Sequence, residues 1–451
     1  MRRGLGWLLA SLMVAGCGGG SSAGGGGGRA GSETTGQGDS GAGGGPSATG
    51  EAGSGAGGRA ATGHGGSSAG GSPAATGEAG SGAGGSRAAT GHGGSGVGGG
   101  PSATGQGGAG PAGAVATIAG CQMFPSNHIF NAAIDKLPVD PSSAAYLATI
   151  GTHNLHLDLG TSVDVTADDY YGIPYNVVHG GAMSWVSAFY ETADTADLDW
   201  DPTTEADCAS GSAHTLVSPC TAAAAPGPLF PIASPPLVEG GIDTDPSQLP
   251  YGDHHLLLLD ADACRLWELY HAYPHPGGGW DIFGSASFDL RSNALRPAGW
   301  TSADAAGFPI LPLLLRAEEA SSGTISHALR FTIDSNKIRT TYIWPARHLT
   351  SNGTGSQSLP PMGQLFRIKS SYAIPAAFNL QARAILQAMK TYGMYIADGG
   401  SAMYVQGAPS ASWADDTFSQ VQSVSSSAFE AVDVSAIMTR AGFDPDSAAV
   451  P

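Results

Sequence analysis

The sequence predicts a β-dominated α+β fold, a sandwich or barrel-like β core with a few peripheral helices, as one globular domain over 119–451. Three observations carry this. Short runs with strand character recur between turn signals, Pro and Gly interrupt nearly every interval, and one long stretch repeats its apolar residues at helical spacing. In chain order, strands are expected at 173–178, 185–190, 255–260, 265–271, 326–333, 339–344 and 364–369. Phe378, Ala382, Ile385, Leu386, Met389 and Tyr392 share one helical face, so a helix is expected over 376–392, ending at Gly393. Shorter helices are expected at 142–150 and 415–424. Strands with scattered helices argue against a doubly wound sheet. No glycine fingerprint follows a strand, so no nucleotide or other cofactor is expected.

Residues 1–16 have the layout of an export signal: Arg2 and Arg3, then roughly a dozen mostly apolar residues. The stretch is shorter than the about 20 apolar residues that span a bilayer. Val14-Ala15-Gly16-Cys17 resembles the lipobox of bacterial lipoproteins. The resemblance implies cleavage before Cys17 and acylation of its thiol and new amino group. The membrane is then the first expected partner, held through several acyl chains where one would bind only marginally. Gly18, not Asp, follows the cysteine, which by resemblance to Gram-negative sorting implies the outer membrane. Whether the domain faces the periplasm or the cell surface stays open.

Residues 17–118 read as the lipidated cysteine and a disordered tether. From 18 to 116 the chain has no aromatic residue and no Leu, Ile, Met or Cys, so it buries too little to offset the entropy of ordering. The segment 48–58 returns as 75–85, and 59–67 as 87–95. The repeat has no apolar face to stack, so it is a duplicated linker rather than a solenoid. A Gly-rich chain of this length spans about 55 Å on average.

The domain is acidic. Of 19 Lys+Arg and 37 Asp+Glu, residues 1–118 hold five and four, leaving a net charge of −19 beyond them. Such a surface repels nucleic acid and anionic headgroups and suits neutral or cationic material, or simply maintains solubility. Four cysteines remain there, an even number in an exported domain, which points to disulfides. Of three possible pairings, Cys208–Cys220 with Cys121–Cys264 is favoured. A zinc site at the cysteines is the weaker alternative, since no Cys-x-x-Cys spacing appears, and no metal ligands are assigned.

The densest polar-aromatic segment is 288–307. On a strand, Asp289 and Arg291 would share one face, with Phe288 and Leu290 on the other. Thr301 or Ser302 would cap a short helix through Asp304. Two readings stand side by side. In one, a ligand-facing loop stacks a sugar on Trp300 while Arg291, Asn293 and Arg296 bind its hydroxyls. In the other, a buried Arg–Asp network braces a long loop. Glu268 shares a face with Leu266 and Tyr270, as a cleft group or a paired core carboxylate. His255 and His327 alternate with apolar residues, the usual pattern of core histidines. Glu239 in Glu239-Gly240-Gly241 either approaches a ligand or sits in a turn. His254 and His255 should point to opposite faces and so not share an ion.

Leu290-Arg291-Ser292-Asn293-Ala294-Leu295-Arg296-Pro297, continued by Gly299-Trp300-Thr301-Ser302-Ala303-Asp304-Ala305-Ala306-Gly307, resembles a stretch shared by a family of uncharacterised secreted bacterial proteins. Tyr171–Tyr175, Glu239–Gly241, His327–Thr332, Trp344–His348, Leu359–Gly363 and Tyr392–Ser401 resemble it as well. The resemblance covers most of 121–433. It implies a fold unit and no mechanism. Where that family reads Asp-Asn-Gly-Ser, this chain has Asp398-Gly399-Gly400-Ser401.

The functional expectation is a domain acting on a polysaccharide, with a carboxylate-dependent glycoside hydrolase as the chemistry to test. Glycosidases place two carboxyl groups about the scissile bond. Asp289, Asp304 and Glu268 form the candidate pool, with His327 for proton transfer. Trp300 and Trp344 are the candidate stacking surfaces, and Arg291, Asn293, Arg296 and His348 the polar contacts. The alternative is a non-catalytic carbohydrate-binding or adhesion module of the cell envelope, and beyond it a structural lipoprotein without a small ligand. Oligomeric state is not legible.

Overall fold

A computed structural model describes residues 115–162, 164, 167, 170–190, 201–242 and 253–451. The expected signal, Cys17 and nearly all of the tether lie outside the described residues. Among the described residues the fold is β-dominated α+β, with three sheets of four or more strands and five α-helices. Among these residues no sheet closes into a barrel. No described helix is long and apolar enough to cross a membrane.

The four-stranded sheet is the middle of the domain. Its order is Gly284–Asp289, Arg265–Tyr270, Leu256–Asp260, Tyr175–Val178. Leu256 and Leu258 enter one apolar core with Trp267 and Leu269, while Leu257, Leu259 and Leu266 enter the other. Burial on both faces explains why this strand is a run of leucines without alternation. The smaller core joins this sheet to a six-stranded sheet built on Val186–Tyr190, Leu229–Phe230 and Cys208–Ser210.

The larger core joins it to the second six-stranded sheet. Its order is Phe429–Ala431, Leu365–Ile368, Met394–Gly399, Leu329–Ile333, Tyr404–Gln406, His156–Asp158. Helix Leu380–Thr391 packs on this side of the molecule, burying Ala382, Ile385, Leu386 and Met389 as its spacing predicts. It begins four residues later than the pattern alone implies, because Asn379 caps it by accepting a hydrogen bond from the Ala382 amide. Helices Ser143–Ile150 and Asp415–Gln422 lie where they are expected.

The expected helix after Thr301 is absent; that stretch is a series of turns. The Ser302 hydroxyl is held inside them, accepting from the Asp304 amide and donating to the Phe308 carbonyl, so it fixes a turn and caps no helix. The strand expected from 326 starts at Leu329, since the Ala328 amide is already spent on the Phe130 carbonyl. At the N-terminal side, Thr117–Ile118 pairs with Cys121–Gln122, so the chain takes part in the fold from about Ala116.

Both favoured disulfides are present, Cys121–Cys264 and Cys208–Cys220. They suit an oxidising, exported environment. Their sequence separations are 143 and 12 residues. Loop-closure entropy then gives about 5 kcal/mol for the first and about 3 kcal/mol for the second. Accordingly, replacing Cys121 and Cys264 by Ser should lower the denaturant midpoint more than replacing Cys208 and Cys220. Urea unfolding of the two double variants, monitored by tryptophan fluorescence, measures the order directly.

Candidate functional site

The sequence-predicted residues do not form one site. Asp289 closes a turn, accepting from the Arg291 amide, and its carboxylate lies 3.8 Å from Arg265. Arg291 is exposed, and Asn293 donates to Asn127. Arg296 is buried: its guanidinium contacts Asp207, donates to the Thr301 and Glu205 carbonyls, and lies over the Trp300 and Phe288 rings. These contacts are those of a loop-bracing Arg–Asp network, which corrects its assignment as a sugar ligand. Trp344 is buried as well, its ring packed on Phe443 and its N–H donated to Ser447. It offers no face for stacking. His348 is held by the Ala305 carbonyl. His327 sits fully buried between Arg316 and Glu319, remote from water, so its proposed proton-transfer role does not fit its position.

Glu268 is also fully buried. Its two oxygens accept the Ile310 and Leu311 amides at 2.9–3.0 Å. Burial pushes its pKa up to about 7 against those hydrogen bonds. It is a core carboxylate and touches no cleft. Asp304 is the one pool residue that borders a candidate site. It forms a buried ion pair with Arg330, at 2.5 Å to Nη2 and 3.1 Å to Nε.

Arg330 organises the polar face of the second six-stranded sheet. Side chains at paired positions share a face. Arg330 pairs with Tyr395, and its Nη1 donates to Gln406, which pairs with Asp158. One row further, Thr332 pairs with Tyr404 and with Asp398, and Tyr404 with His156. Asp398 reaches this face only through a β-bulge. The register runs Phe331–Ile396 and then Thr332–Asp398, so Ala397 is the extra residue. A regular strand would turn Ala397 to this face and Asp398 away from it. The Ala306 amide, two residues past Asp304, donates to the Ala397 carbonyl at 3.0 Å and satisfies the bulge.

The middle sheet supplies the facing groups. Glu239 accepts from the ring and amide N–H of His255 at 2.6 and 3.2 Å, and the other ring nitrogen of His255 meets the Ala303 carbonyl. Asp253 is exposed and receives the Tyr270 hydroxyl at 3.4 Å. His254 stacks on Tyr273 instead; both histidines precede the strand, and His254 has a left-handed backbone (φ 46°), so the strand alternation expected for the pair does not apply. Glu239, Tyr270, Asp158, Asp398, Tyr404 and Gln406 are all half-buried, so the cluster borders solvent.

Electrostatics divide these carboxylates. Burial, then the charges of Asp304 and Asp253, push Asp398 up to about 7. Burial and Glu239 also raise Asp158. Burial opposes charge on Glu239, but the His255 cation and its hydrogen bonds outweigh it and hold Glu239 below its ordinary range. By the same pairing His255, which burial alone would depress, is lifted to about 9. Asp304 and Asp398 keep Arg330 charged despite its burial. Two half-buried carboxyl groups of opposite protonation preference, Asp398 and Glu239, therefore both feel the buried Arg330 cation. Among the described residues no group of three or more His, Cys, Asp or Glu is arranged to hold a metal ion.

No family model, curated protein or solved structure matches the chain. Asp398, Asp253, Asp158 and Tyr404 were not singled out as site residues by sequence reasoning. The only available signals were Asp253 ahead of two histidines and Asp398 beside two glycines.

Two outcomes follow. Arg330→Met strands Asp304 as an unpaired buried charge and should cost about 3–5 kcal/mol, with part recovered by adding Asp304→Leu; denaturant melts of the cycle check this. His255 has a folded pKa of about 9 against an ordinary value of 6.5. The stability from its pairing is complete below 6.5 and is lost as pH rises through about 9. Glu239→Gln should flatten this loss, which is about 3 kcal/mol at most. Unfolding midpoints measured from pH 6 to 10 would show equal slopes in both proteins if the pair contributes nothing.

Proposed function

We propose that this protein is an exported, lipid-anchored hydrolase acting on a polysaccharide at the Asp398–Glu239 site. The anchor is Cys17, most consistent in its sequence context with the outer membrane. One observation carries the catalytic reading: Asp398, raised to about 7 by burial and its carboxylate neighbours, and Glu239, held below its ordinary range by the 2.6 Å contact with His255, both lie half-buried about Arg330. General acid–base cleavage of a glycosidic bond needs such a pair.

In this reading Asp398 gives its proton to the leaving oxygen as the glycosidic C–O bond breaks. Glu239 is the second carboxylate, supporting the positive charge that develops on the sugar ring, and a water then adds to the anomeric carbon and returns its proton to Asp398. Arg330 and Asp304 act behind Asp398. Burial first, and then the neighbouring Asp304 carboxylate, favour the proton on Asp398, and Arg330 limits that shift so the proton can still leave. Tyr270 and Asp253 border the site as hydroxyl partners. Asp289, from the original pool, takes no part.

The test uses the full chain on a panel of polysaccharides, with product analysis by mass spectrometry. Asp398→Asn and Glu239→Gln should each lower turnover about 100-fold or more while glycan binding is largely retained; Asp289→Asn should be neutral. Binding with no product from the wild-type protein after long incubation would instead make the domain a carbohydrate-binding or adhesion module.

A further inference from the structure

Beside the carboxylates lies an aromatic pair with no role in the chemistry above. Tyr404 and His156 stack with ring centroids 4.0 Å apart and planes 24° from parallel, and both are half-buried. They occupy adjacent strands on the same face as Asp398. Tyr404 is two strands from Asp398, which puts their backbones about 10 Å apart. Between them Gly400 packs directly on Thr332: a Cβ there would come within 3.1 Å of the Thr332 side chain. A larger residue would raise the loop between the aromatic pair and the acid.

The next row of the same face carries polar groups of both kinds. Asp158 accepts hydrogen bonds. The amide oxygen of Gln406 is taken by Arg330, which leaves its NH2 to donate. A flat ring flanked by an acceptor and a donor matches one pyranose, whose C–H face covers the ring while its hydroxyls reach outward. An aromatic body with a polar tip is the usual way to bind such an amphipathic surface.

We propose that the Tyr404–His156 stack is an outlying sugar-binding subsite, at which a glycan chain reaching Asp398 rests a second ring, with Asp158 and Gln406 taking its hydroxyls. This rests on the polysaccharide reading of the site. It makes the substrate an oligosaccharide longer than the unit being cleaved, bound along the sheet face and across its strands.

The experiment separates the two readings. Asp398→Asn serves as the background, and binding of cello-, xylo- and chito-hexaoses and the matching disaccharides is measured by calorimetry. Adding Tyr404→Ala should weaken the best hexaose by about tenfold and leave its disaccharide nearly unchanged. Tyr404→Phe should bind like the parent, and His156→Ala should give an intermediate loss. Thermal melts of each variant confirm that the fold is kept. If the parent binds a hexaose and Tyr404→Ala binds it equally well, or weakens hexaose and disaccharide alike, the subsite is overturned while the polysaccharide reading stands. If the parent binds none of these sugars and the wild-type protein cleaves none of their polymers, both fall together.

Discussion

The buried ion pair between Arg330 and Asp304 is the constraint around which the rest is arranged. Both side chains are essentially without solvent contact. Two charges taken out of water cost several kcal/mol each unless geometry and hydrogen bonds compensate. Here the compensation is spread over the neighbourhood. Asp304 also accepts from the Ala306 amide, and Arg330 also donates to Gln406. The same short loop offers the Ala303 carbonyl to His255 and the Ala306 amide to the bulged Ala397. The loop that satisfies the buried pair thus holds both His255, with its partner Glu239, and the bulge that turns Asp398 to the Arg330 face.

The two-sided middle sheet supplies the rigidity that this arrangement needs. Leucines alternate between two cores along one strand, so a slip of a single residue would exchange both sets at once. Such a strand holds its register firmly. His255 leads that strand and Tyr270 ends its neighbour, which fixes the wall of the site opposite the Arg330 face. The Cys121–Cys264 bond ties the start of the folded chain to the turn beside the same hairpin.

Much of the fold was legible locally. The helix over Leu380–Thr391 shows its apolar stripe without reference to anything else, and the strands around 256–260 and 265–270 carry strong apolar runs. Cysteine number and spacing in an exported context led to the two bonds that form. The site was far less legible. Arg296 and Trp344 stand out in the sequence because they are large and polar-aromatic, yet that character is spent inside the loop network. Glu268 was open to either a cleft or a core reading, and two backbone amides pull it into the core.

What the sequence alone determined is what depends on neighbours along the chain: the export-signal pattern and lipobox resemblance at Cys17, the composition of the tether, the β-dominated character and the principal helix. Periodicity and composition are local, so they are read without a structure. Which carboxylates meet was decided by the tertiary fold. Glu239, Asp304 and Asp398 come from three distant segments, and Asp398 faces the others because of one bulge residue. No spacing in the chain encodes that turn. Their protonation follows from burial and from the charges brought beside them, His255 and Arg330 among them, and both exist only once the sheets are packed.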